Sequence, residues 1–262
     1  MVIAAAATAL GEAVAPSIAV RQQDCIEFLR SLPDESVDLI ATDPGYSGMN
    51  QHMKFGHGRI VGHYGKPGNT RWFQEFSDDP ATYRMFLSEC RRVLRNDRHI
   101  YVMFDSFSLL SLGALMRDFF DVKCVIVWDK VHIGMGHYFR RRHEQIVFAS
   151  KGKRKLPRRD VPDVWRVPRI RRAAYPTQKP VELFELMVTG SAEPGFVVCD
   201  PFAGSGSSAI AALRHGCDFI GADIDERAVA LSNRRWSAVV ATGVDPLEQN
   251  AARGSAAGNV RP

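Results

Sequence analysis

The chain reads as an α/β protein with helices on both faces of a sheet, and three features predict it. Apolar runs of strand length alternate with amphipathic stretches of helical period along most of the 262 residues. One run, Val37 to Thr42, ends in Asp43-Pro44-Gly45-Tyr46. That turn sets a carboxylate and an aromatic ring at a strand's carboxyl end, where open α/β sheets build their binding crevices. A second run, Phe196 to Asp200, passes through Pro201-Phe202-Ala203-Gly204-Ser205-Gly206 into a helix, so backbone can approach a ligand closely and the helix amino end can face an anionic group.

The elements follow in order. A strand near Ser17 to Arg21 leads into a short helix around Asp24 to Leu32 and the strand ending at Thr42. The glycine-rich stretch Gly45 to Gly68 is too long for an ordinary connection and reads as a mobile functional loop. Tyr83, Phe86, Leu87, Cys90 and Leu94 recur at helical spacing and predict a helix from Pro80 to Leu94. A strand at His99 to Phe104 and a helix at Ser108 to Phe119 come next, then a β pair, Val122 to Trp128 with Glu144 to Ala149. After a basic insertion come a helix at Val181 to Gly190 and a β-α-β-α segment: the glycine turn, a helix from Ser207 to His215, and a strand running to Asp225. Residues 1–16 are expected to form a flexible arm and 243–262 a disordered tail, leaving one domain, 17–242, with a mobile loop at 47–80 and the basic insertion at 151–174.

Charge is distributed unevenly. The net charge is +5, but Arg140 to Lys179 carries 14 basic residues against Glu144, Asp160 and Asp163, so the rest of the chain is acidic. Such polarity suits a surface that meets phosphates, and DNA contacts are expected from Arg140, Arg141 and Arg142, from Arg154, Lys155, Arg158 and Arg159, and from Arg169, Arg171 and Arg172. The five cysteines are scattered and read as thiols of a reducing compartment. The histidines lack metal-ligand spacing, so no metal is expected. With no basic residue before Arg21 and no run of roughly 18 apolar residues, neither a secretory signal nor a membrane span is predicted, and the expected location is cytoplasmic.

Asp223, about 20 residues beyond the glycines, can accept the hydroxyls of an adenosine ribose, as in a nucleotide half-site. Gly204-x-Gly206-x-x-Ala209 also fits a dinucleotide fingerprint, but too few residues follow for the second half of a dinucleotide fold. Asp200-Pro-Phe-Ala-Gly-Ser-Gly206 resembles the cofactor motif of S-adenosylmethionine-dependent DNA amino-methyltransferases, and Asp43-Pro-Gly-Tyr46 resembles their catalytic Asp-Pro-Pro-Tyr. Tyr175-Pro-Thr-Gln-Lys-Pro180 is similar to the His-Pro-Thr-Gln-Lys-Pro segment before the cofactor strand. Catalytic motif first and cofactor motif last is the permuted β-class order, and the likeness spans roughly residues 20 to 240.

The resemblance implies a mostly parallel seven-stranded sheet with one antiparallel strand. It implies transfer of a methyl group to the exocyclic N6 of adenine in a flipped-out base of double-stranded DNA. Cytosine N4 is the alternative, and an RNA or protein amino-methyltransferase or a catalytically weak DNA-binding relic are more distant ones. Asp43, Pro44 and Tyr46 would be catalytic. Asp200, Phe202, Gly204, Gly206 and Ser207 would cradle the cofactor, with Asp223 on its ribose, Asp24 near its adenine, and Thr177 and Lys179 at its carboxylate end. The family also allows a homodimer and a restriction-modification setting. Gly45 stands where the family has its second proline and is expected to loosen the catalytic turn.

Overall fold

The computed structural model describes residues 20–45, 79–134, 138–170, 173–175 and 177–248. The expected N-terminal arm, the loop up to residue 78 with Tyr46, the residues Arg171 and Arg172, and the last part of the tail lie outside them.

The first strand, β1 (Val20–Gln22), precedes helix α1 (Cys25–Arg30), which starts where the Asp24 carboxylate caps the Ile26 and Glu27 N–H groups. Strand β2 (Val37–Thr42) is buried along its whole length. Helix α2 (Pro80–Val93) begins with Pro80 in its first turn and Asp79 as cap, and buries the predicted Tyr83, Phe86, Leu87 and Cys90. Strand β3 (Leu94–Phe104) starts five residues before the predicted one. Its polar opening, Arg95 to Arg98, masks a strand whose side chains serve Asp38 rather than an apolar face.

The helix predicted from Ser108 is broken in three: α3 (Ser106–Leu112) under an Asp105 cap, a 3-10 turn at Gly113–Leu115, and α4 (Met116–Phe119). The β pair forms as β4 (Asp121–Asp129) and β5 (His143–Lys151). Then come β6 (Val164–Arg166), α5 (Val181–Ser191), β7 (Val197–Asp200), α6 (Ser207–Arg214), β8 (Asp218–Asp223) and α7 (Glu226–Thr242).

The strands form one sheet in the order β1-β8-β7-β2-β3-β5-β4-β6. Among the described strands only β5 runs against its neighbours, pairing antiparallel with β3 and with β4. The expected seven strands are therefore eight. The extra one, β6, arises inside the basic insertion, where Trp165 is buried against Tyr101 and Val127 pairs with Val164. Three residues give too short a pattern to be seen as a strand in the sequence. One face of the sheet is covered by α1, α2 and α4 around Phe28, Leu87 and Met116, the other by α5 and α6 around Leu183, Met187 and Ile210.

The tail also needs correction at its start. Asp245 is fully buried and pairs with Arg235 of α7, and Leu247 N–H bonds to the same carboxylate. Residues 243–248 thus belong to the fold. Among the described residues no helix is long and apolar enough to cross a membrane.

The charge inside β2 explains itself by its partners. Asp38 is 2% exposed and accepts from Arg95 at 2.6 Å, from Arg98 at 3.0 Å and from Val197 N–H at 3.0 Å, which joins β2, β3 and β7 at their amino ends. Burial alone would push its carboxyl up, but the N–H and the two guanidiniums outweigh it and hold the carboxyl below the usual range. Asp38→Ala strands these donors and is expected to cost about 3 kcal/mol in urea unfolding, the low end for a broken buried pair because Arg95 remains 43% exposed. Since the folded value lies below the unfolded one of about 3.9, this contribution is complete above that pH and is lost as pH falls through the folded value.

Candidate active site and cofactor cleft

The carboxyl ends of β2 and β7 lie side by side, and beyond them opens a cleft of about 490 Å³. This is the crevice position of an open α/β sheet, and the volume is that of a cofactor pocket. Asp43, Pro44 and Gly45 enter it from β2, and Phe202, Gly204 and Ser207 from the turn after β7.

The two strand ends are tied by Asp200. Its buried carboxylate accepts from the Thr42 hydroxyl at 2.8 Å, the Ser208 hydroxyl at 2.6 Å and the Phe202 N–H at 3.0 Å. Burial pushes this carboxyl up to about 7, against the three donors that favour its charged form. Asp200 is among the residues lining the cleft, and its side chain also shapes the turn through these three bonds.

The two glycines divide their work. Gly204 has φ +52°, its N–H donates to Asp223 at 2.8 Å, and a Cβ there would meet only the Phe202 carbonyl, at 3.9 Å. It keeps room open beside the cleft. Gly206 has φ +82° and does not line the cleft; a Cβ there would stand 2.2 Å from the Ser232 Oγ of α7. The assignment of Gly206 to the cofactor is corrected to a packing role, because α7 presses on the turn from behind. The same helix contributes the buried Arg235, which donates to the Ser205 carbonyl at 2.6 Å while paired bidentately with Asp245. Ser207 Oγ donates to the Lys179 carbonyl at 2.7 Å and so joins the turn to the segment before α5.

Asp24 and Asp223 line the cleft as expected. One oxygen of Asp24 serves the α1 cap, and Asp223 also accepts the Asp225 N–H at 2.9 Å. Each carboxylate oxygen has two lone pairs, so both groups keep acceptor capacity. Thr177, also in the cleft, is a β-branched residue with φ +61°, a conformation rarely held outside functional turns. Tyr175 donates to Asp225 at 3.1 Å beside it.

Lys179, expected at a cofactor carboxylate, lines the cleft. Its ammonium is hydrogen-bonded to Asp43 and lies 3.8 Å from Glu144, which pairs with Lys130 at 2.9 Å. Burial works against the lysine's charge, but Asp43 and Glu144 outweigh it and raise its pKa. Burial would likewise push Glu144 up, yet Lys179 and Lys130 hold it below the usual range. Sequence reasoning missed Glu144 and Lys130 as site residues. Lys130 follows the carboxyl end of β4, the signal that identified Asp43, whereas Glu144 is at the amino end of β5 and reaches the cleft because that strand is antiparallel.

The basic residues do not form one surface. Arg141 lines the cleft, lies 4.9 Å over the Phe107 ring and is 3.5 Å from Asp105. Arg140 donates to the Gly134 carbonyl, Arg142 is bidentate to Asp129, and Arg169 is exposed near Lys130. Arg154 lies elsewhere: it stacks on Phe196 and pairs with Glu193 at the amino end of β7, opposite the cleft. Its expected role in DNA contact is corrected to a structural one, since β5 carries the chain to the far end of the sheet before the insertion begins. Lys155, Arg158 and Arg159 are exposed, Arg158 being held by Asp160.

A raised carboxyl gives a pH test. The stability linked to Asp200 is complete below its unfolded value of about 3.9 and declines as pH rises through about 7. Asp200→Asn keeps the size and an acceptor without the charge, so its melting temperature is expected to fall less than the parent's between about pH 5 and pH 8. An equally steep fall would show that Asp200 is not the titrating group.

Residues 37–234 match the family model for the N6/N4 type of DNA methylase. YubD of Escherichia coli (strain K12), whose name classes it as a methylase, is 30% identical over 229 residues, 83% of this chain and 89% of that protein. The Type II methyltransferase M2.MboI of Moraxella bovis is 24% identical over 243 residues, 83% of this chain and 86% of its own. A DNA modification methylase of Thermus thermophilus, TTHA0409, described as putative and solved in complex with S-adenosyl-L-methionine, shares the fold at a TM-score of 0.62 and 21% identity, covering 87% of this chain and 96% of that one. The match runs from the strand that leads into the Asp43 turn into the last long helix, and the protein belongs to the N6/N4 DNA methylase family.

Proposed function

We propose that this protein moves a methyl group from S-adenosylmethionine to the exocyclic N6 of an adenine that has left the DNA duplex. The observation that carries this reading is the meeting of Asp43 and Pro44 with the glycine turn in one cleft. The cleft suits the cofactor's chemistry: Asp24 and Asp223 offer acceptors for sugar hydroxyls and an adenine amino group, Phe202 offers a flat apolar wall, and Gly204 leaves room for close approach.

When bound, S-adenosylmethionine supplies an electrophilic methyl group on a sulfonium, whose sulfur keeps the electron pair of the breaking S–C bond. The chain must do the rest. An amino nitrogen on a purine is a poor nucleophile because its lone pair is delocalised into the ring. Asp43 and the Pro44 carbonyl would accept its two N–H groups, drawing the nitrogen toward tetrahedral geometry and directing the lone pair at the methyl carbon. As the N–C bond forms, the nitrogen becomes positively charged and releases one proton to the Asp43 carboxylate, from which it passes to solvent. Tyr46, outside the described residues, would stack on the extruded base.

Aspartate at position 43 resembles the adenine enzymes, where cytosine-N4 enzymes carry serine, and this favours N6 over N4. The duplex would approach the cleft mouth, where Arg140, Arg141 and Arg169 lie.

Nucleoside mass spectrometry on unmethylated DNA incubated with protein and cofactor tests the reaction. N6-methyladenine is expected; N4-methylcytosine would move the assignment to cytosine, and no methylated base from cofactor-bound protein would refute DNA methylation. Asp43→Ala is expected to lower the rate by about 10²-fold or more while leaving cofactor affinity measurable. Arg141→Ala is expected to reduce the slope of log affinity for DNA against log salt by about 1, and an unchanged slope would remove Arg141 from the interface.

A further inference from the structure

The catalytic carboxylate is already occupied. Asp43 holds the Lys179 ammonium, and both side chains are largely buried, at 17% and 13% exposure. Lys179 is bonded to one of the Asp43 oxygens, Oδ2, and an ammonium there competes with an arriving amino group for that acceptor. If the lysine simply gave way, a buried ammonium would lose its counter-charge, which a site of low dielectric resists. The structure supplies another acceptor. Glu144, the second residue of β5, stands with one oxygen on Lys130 at 2.9 Å and the other facing Lys179 at 3.8 Å. An ammonium has three rotatable donors on a flexible stem, so a shift of about an ångström brings Lys179 onto Glu144. Lys130 fixes Glu144 in place, also stacking near the Trp128 ring at 5.9 Å.

We propose that Glu144 is a positioning residue for the methyl-transfer site: it takes the Lys179 ammonium when the target amino group arrives, freeing Asp43 to accept the N–H. During the exchange itself Asp43, Glu144, Lys130 and Lys179 keep their charges, and only their pairing changes. Between turnovers Lys179 returns to Asp43 and keeps its carboxylate oriented. This rests on the reading of Asp43 as the amino-group acceptor, and it adds a gate at that acceptor which neither the Asp43 turn nor the glycine turn contains.

Glu144→Gln tests it, because the amide keeps the shape and removes the charge that attracts Lys179. Single-turnover methylation of DNA is expected to slow tenfold or more, with calorimetric affinity for S-adenosylmethionine and affinity for DNA close to the parent's, measured at a temperature where the variant is folded. Because Glu144 acts through Lys179, the double variant Glu144→Gln, Lys179→Met is expected to be no slower than Lys179→Met alone. A parental rate for Glu144→Gln, or effects of the two substitutions that multiply, would overturn the proposal. If Glu144→Gln loses cofactor binding, Glu144→Asp decides in the same assay: it keeps the charge one methylene further from Lys179, so a slowed rate supports the exchange and a parental rate overturns it. The parent protein is run alongside; its own failure to methylate DNA would count against the proposed function, whereas a methylating parent with an unaffected Glu144→Gln counts against the exchange alone.

Discussion

Asp200 holds the site together because it stands where its three parts meet. Thr42 ends the strand that leads into the Asp43 turn, Phe202 opens the glycine turn, and Ser208 lies in the first turn of α6, and all three donate to its one buried carboxylate. Two parallel strands fix the distance between their own ends, but not the path the chain takes beyond them. A shared acceptor does, and it keeps the Asp43 turn and the glycine turn in one geometry. At the other end of the same strands Asp38 does the corresponding work with two arginines and a backbone N–H. The central strand is thus clamped at both ends by buried carboxylates, one ionised by its guanidinium partners and one held close to neutrality by burial.

The cofactor turn is supported from behind as well. Gly206 has no side chain because Ser232 occupies that space, and Arg235 reaches through from the same helix to hold the Ser205 carbonyl. The buried guanidinium is matched by Asp245, beyond the end of α7, which meets it with both oxygens. The chain after the last long helix therefore contributes to the shape of a turn some 40 residues earlier. Front and back of the turn are built by different residues: Gly204 for space beside the ligand, Gly206 for contact with the helix.

Charge in the cleft is balanced locally rather than by the basic surface. Lys130 and Lys179 face Glu144 and Asp43, and the arginines nearest the mouth are engaged by Asp105, Asp129 or backbone carbonyls. A count of basic residues along the sequence groups Arg141 with Arg154, but the length of β5 separates them by the height of the sheet. Proximity in sequence became distance in space because a strand lay between.

By itself the sequence determined the α/β class, the central strands and the residues that enter the cleft from β2, β7 and β8. These features follow from local rules: apolar runs, caps such as Asp24 and Asp79, and turns that need glycine or proline. It also carried the family motifs, since the chemistry constrains short contiguous segments. The tertiary structure alone decided what each side chain in those motifs does. Asp200 ties two strand ends together, Gly206 packs against Ser232, Lys179 bonds to Asp43, and Glu144 and Lys130 line the same cleft. Each depends on a partner at least eight residues away in sequence and usually on another element, and nothing in local propensity or spacing encodes which distant charge or helix will arrive there.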